Sequence, residues 1–173
     1  MEEKIEFSAD SRLGKALQHW WTGLEEDRAS RAVLKRCATV DEVTLSEAYQ
    51  RFYRYMRACG WPETAAGWQL DKLAAIAGLL AHIKVQDNQR LPESMSERDG
   101  DKNRVSELRF RDILKAQDTD DLFVGLRRLL PLINYQTSIY HLAQDVYHWN
   151  NPYRNIPKAW AYAYHWEPKI QSA

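Results

Sequence analysis

Apolar residues recur at spacings of three and four along most of this chain, and no alternating, period-two pattern lasts more than a few residues. That spacing puts side chains on one face of a helix, so the chain must bury helix faces against one another. The clearest case places Leu45, Ala48, Tyr49, Phe52, Tyr53 and Met56 on one face, with Gly60-Trp61-Pro62 as the stop. Leu13, Leu17, Trp20, Trp21 and Leu24 define an earlier helix, and a second runs from about Asp27 to Ala38. Trp68, Leu73, Ile76, Ala77, Leu80 and Ile83 mark an Ala-rich helix expected to be deeply packed. The stretch from Val105 to Leu130 reads as two amphipathic helices broken at Asp118-Thr119-Asp120-Asp121. Pro131 falls inside the second pattern, which continues to Ile133, and should kink or end that helix. Ile139, Leu142, Ala143 and Val146 give another helix, and an aromatic one follows Pro157.

The fold class implied is all-α: a compact helical bundle of about eight helices in two packed lobes, with no sheet. Residues 1–85 form the expected N-terminal lobe and residues 104–173 the C-terminal lobe, together one functional module. Residues 86–103 are polar and contain Pro92 and Gly100, the pattern of a mobile connector with room for a helical turn after Pro92. Only Leu91 and Met95 could anchor it. No apolar run is long enough for a membrane span. The acidic start, MEEKIEFSAD, does not read as a targeting segment. Two cysteines, Cys37 and Cys59, at apolar helical positions fit a reducing compartment better than a disulfide scaffold. A cytoplasmic protein is expected.

Charge is informative through its placement. The chain carries 24 basic and 24 acidic residues, so bulk attraction to a polyanion is absent. Yet Arg28, Arg31, Lys35 and Arg36 cluster on one helix, while Arg104, Arg111 and Lys115 stand at i, i+7 and i+11 on another. Arg109, Arg127 and Arg128 add to the second region. Arginine dominates, which suits forked contacts to phosphate. These ten residues are the candidate nucleic-acid-binding set. A neutral protein with a segregated basic face is expected to hold its polyanion within an assembly.

No catalytic residues, metal ligands or cofactors are expected. His141, Asp145 and His148 share one helical face at i, i+4 and i+7 but have no ligand set on another helix to close a metal site. The acidic groups Glu25-Glu26-Asp27 and Asp118 to Asp121 precede helices, where caps and the helix dipole favour acids. The Trp and Tyr faces are shared with aliphatic residues and read as core. An alternative of another class is a helical ligand- or metal-binding enzyme with an aromatic pocket and the His141/Asp145/His148 face.

Several motifs resemble the CasB family, the small subunit of the type I-E CRISPR surveillance complex called Cascade. The family pattern RAxL[RK]R is matched by Arg31-Ala32-Val33-Leu34-Lys35-Arg36. SELRFRxLL is matched by residues 106–114, with Ile113 in place of Leu. LRRLL is matched by residues 126–130, and Leu142, Asp145 and Trp149 keep an L-x-x-D-x-x-x-W spacing. The resemblance runs from about Leu13 to Trp166. It implies an all-helical, non-catalytic subunit of an RNA-guided antiviral complex. Partners would be the other Cascade subunits, the crRNA and a second copy of itself, placed head to tail. It would contact the target strand and the displaced single strand through basic residues and stabilise the R-loop. Base pairing reads the sequence in such complexes, while protein supplies backbone contacts.

Overall fold

A computed structural model describes residues 4–169. Ten α-helices account for most of them: α1 Arg12–Gly23, α2 Arg28–Arg36, α3 Val40–Thr44, α4 Glu47–Ala58, α5 Gly67–Leu80, α6 Leu91–Met95, α7 Glu107–Leu114, α8 Thr119–Leu129, α9 Ile139–Tyr147 and α10 Ile156–Ala163. Polar caps set many of the starts. Ser11, Asp27, Thr39, Ser46, Ser106, Asp118 and Ser138 each accept a backbone N–H from the first turn of the helix that follows.

The helix α5 organises the molecule. It is apolar nearly all round, and every residue from Lys72 to Leu80 is buried, as a helix needs when neighbours surround it. It packs on α2, α3 and α4 and on α8 and α9. The two expected lobes therefore meet across one helix, in a core cluster that extends from Ile5 to Tyr164. Gly78 permits the closest approach. A Cβ there would lie 2.8 Å from Phe123 of α8 and 2.9 Å from Val43 of α3.

The expectation of no sheet is corrected. Val85–Gln86 (β1) pairs in parallel with Gln136–Thr137 (β4), and Arg98–Asp99 (β2) pairs antiparallel with Lys102–Asn103 (β3). Strands of two residues carry no periodicity, so patterning could not reveal them. For the same reason the five-residue α3 and α6 raise the helix count above eight. Residues 86–103, expected to connect the lobes, contain β1's second residue, α6 and the β2–β3 hairpin. Leu91 and Met95 are both fully buried there. Gln89 adds a carbonyl that accepts from Ser138 N and Thr137 Oγ1. Pro131 ends α8 as expected: a 3-10 turn, Leu130–Ile133, replaces the last helical turn.

Two apolar positions of the helix patterns lie outside the core. Leu45 belongs to the cap of α3 rather than to α4 and is 85% exposed. Trp68, in the first turn of α5, is 59% exposed.

Candidate nucleic-acid interface

The basic residues of α2 divide between structural and free roles. Arg31 is half-buried, and its Nε and Nη2 donate to the carbonyls of Ala81 and Ile83 at 3.0 and 3.1 Å. It thus caps the C-terminal end of α5, where carbonyls lack helical partners. Arg28 and Arg36 are exposed and form no ion pair among the described residues. Lys35 is half-buried, and its backbone carbonyl accepts from Arg127 Nη2 of α8 at 3.1 Å.

That last bond joins two basic regions 92 residues apart in sequence. It holds Arg127, near the end of α8, against the C-terminal end of α2. The crowding registers on His82, which follows α5. Burial, and then the charges of Arg127, Lys35 and Arg31, press its pKa down to about 4. His82 is consequently neutral at physiological pH.

The path continues from α8 to α7. A groove of about 510 Å³ between these helices is lined by Arg109, Lys115 and Arg128 together with Asp112 and Asp121. Gly125 brings the helices close, since a Cβ there would meet Ile113 Cδ1 at 2.4 Å. Arg109, Arg111 and Arg128 are exposed and form no ion pair among the described residues. The second stripe is corrected in its outline. Ser106 caps α7 at Glu107, so Arg104 precedes the helix instead of sharing its face. Arg104 is half-buried and pairs with Glu97 at 3.5 Å, while Lys115 reaches Asp112 at 3.9 Å. A Ser-Glu pair just before an apolar pattern is a capping signal, and it marked the true start of the helix.

The structure therefore joins Lys35 to Arg127 across α2 and α8, and brings Arg109, Lys115 and Arg128 together across α7 and α8. Arg28 starts α2 and Arg111 stands on another side of α7. Arg31 and Arg104 are engaged within the fold.

The His141, Asp145 and His148 face serves other purposes. Asp145 is buried, accepts from Trp160 Nε1 at 2.8 Å and pairs with Arg90 at 3.3 Å. Burial nevertheless raises its pKa, against the pull of Arg90 and Trp160. The His141 Nδ1 meets Ser138 Oγ at 3.0 Å, and His148 is buried beside Asn151. His148 instead lines an aromatic cavity of about 910 Å³ with Trp68, Lys72 and Tyr147, whose wall also includes Gln117, Asp118 and Thr119 at the start of α8. Sequence reading placed Trp68 in the core and passed over Lys72; a lysine inside the apolar run of α5 was the available signal.

A family model described as CRISPR-associated protein Cse2 matches residues 30–165. No curated protein and no solved structure matches the chain. The matched span begins inside α2 and ends just beyond α10, so it contains every element of the basic path.

Proposed function

The chain belongs to the CRISPR-associated Cse2 family, the small subunits of the type I-E Cascade complex, and from that premise we propose that it is a non-catalytic clamp for DNA strands. It contacts the sugar-phosphate backbones of the target strand and the displaced single strand. Its work is to hold the R-loop open in a cytoplasmic antiviral complex. Its partners are the other Cascade subunits, the crRNA and a second copy of itself placed head to tail.

One observation carries the reading. Arg127 ties α8 to α2 through the Lys35 carbonyl, and the next residue, Arg128, lines the α7–α8 groove with Arg109 and Lys115, so α8 links the two basic helices. The exposed arginines on and beside this path form no ion pair among the described residues, so their forks stay open to phosphate oxygens. Asp112 and Asp121 within the groove moderate the field, and net charge is zero. Tight unaided binding is not expected from such a surface. Strand exchange in an R-loop is nearly balanced in energy, so modest backbone contacts are sufficient to tip it.

The test is salt dependence. Isolated protein should bind single-stranded DNA weakly and without sequence preference, with affinity falling as salt rises. Reversing Arg36, Arg109 and Arg128 to Glu should flatten the slope of log affinity against log salt by roughly 2, the value for three single-strand phosphate contacts. A slope unchanged in a folded triple variant would contradict the assignment.

A further inference from the structure

We propose that the cavity beside Trp68 is a nucleotide site: it stacks one planar base and holds the attached phosphate near Lys72. This goes beyond the cationic path and does not require it, since the cavity is built from α5, α9 and the turns that begin α8 and follow α9.

Its size, about 910 Å³, lies within the range of small-molecule sites, roughly 300–1,000 Å³. Trp68 supplies a platform. It is a large aromatic ring left 59% exposed at a protein surface, with the Tyr147 ring 5.9 Å away and tilted by 39°. Tyr147 is fixed in turn by a hydrogen bond from Gln69 to its hydroxyl at 3.1 Å and by edge contacts with Phe7 and Trp61. An exposed indole backed by a fixed aromatic is the arrangement on which bases stack.

Lys72 supplies the charge. Its side chain is 97% shielded by the 3% exposure of the residue, and its one hydrogen bond runs to Asn150 Oδ1 at 2.7 Å. Lys72 forms no ion pair with a carboxylate among the described residues. Asp118, which lines the same cavity, offsets the cost of burying this ammonium only in part, and a phosphate entering beside it would lower what remains. Burial takes its pKa down to about 8 against the opposing pull of Asp118, and an adjacent phosphate would raise it again. His148 adds a second unused group: it lines the cavity, is 8% exposed, and its Nε2 has no hydrogen-bond partner. The Asn150 and Asn151 amides are already engaged with neighbours, so base identity is read weakly.

The base can come from a single strand or from a free mononucleotide. Calorimetric titration of the full chain with dAMP, with a short oligodeoxyadenylate, and with the same oligonucleotide carrying abasic sites separates the two. If the source is free nucleotide, dAMP binds, and Trp68→Ala and Lys72→Met each weaken it about tenfold, Trp68→Ala by loss of stacking. If the source is a strand, the intact oligonucleotide binds more tightly than the abasic one, and Trp68→Ala abolishes that difference. Trp68 is exposed, so its variant folds even where Lys72→Met does not. Tyr162→Ala, exposed on α10 and outside the cavity, should change neither titration. Trp68→Ala without effect on either ligand overturns the inference, whatever the basic path does. Loss of oligonucleotide binding on reversal of Arg36, Arg109 and Arg128 in that case leaves the clamp intact as a separate result.

Discussion

At the scale of single residues, arginines of similar sequence context do different work. Arg31 and Arg36 stand in one motif, yet only Arg36 is free. Replacing Arg31 with Met should destabilise the protein by about 1.5–3 kcal/mol in denaturant unfolding, because charged hydrogen bonds to two buried-end carbonyls are lost. Arg36→Ala should stay within about 0.5 kcal/mol. His82 gives a pH signature. Its pKa is lowered to about 4 in the fold against 6.5 in the unfolded chain, so the unfolded state binds the extra proton first. Its contribution is complete above pH 6.5 and disappears as pH falls from 6.5 towards 4. His148 acts in the same direction, also from about 4. Unfolding midpoints should therefore drop across that window, and His82→Phe should make the drop shallower; an unchanged pH profile would contradict the burial argument. Which cations were free could not be read from the chain. The partners of Arg104 and Arg31, Glu97 and the Ala81 carbonyl, come from elements brought close only by folding.

At the scale of elements, the helices with long apolar faces were legible, and the short ones were not. The buried residues of α4, α5 and α9 match their sequence patterns, because two or more turns repeat the spacing. α3, α6 and the two-residue strands have no room for a period. Trp68 departs from the pattern because it lies in the first turn of α5, where the helix leaves the core and enters the cavity wall. The crossing at Gly78 is a tight joint between α5, α8 and α3. Gly78→Ala should cost about 1–3 kcal/mol through overpacking against Phe123 and Val43, measured by chemical denaturation. Within residues 86–103, amide exchange should separate two behaviours. Leu91 to Met95 is held by two fully buried side chains, whereas the exposed β2–β3 turn around Gly100 should exchange fastest. Exchange at Met95 as fast as at Gly100 would contradict this.

At the scale of the molecule, α5 makes one body of the two halves, and α8 makes one surface of their two basic helices. Function was legible only where motif order survived along the chain, and the span matched to the Cse2 family, residues 30–165, is the span that carries the path. The central claim is that this path holds DNA strands apart by phosphate contact. It is tested most directly by R-loop lifetime in reconstituted complexes that contain Arg36, Arg109 and Arg128 reversed to Glu. The account predicts complete assembly, a folded subunit, and lifetimes shortened alike on unrelated target sequences. Unchanged lifetimes in fully assembled complexes would make these arginines a solvated face and the subunit a scaffold alone.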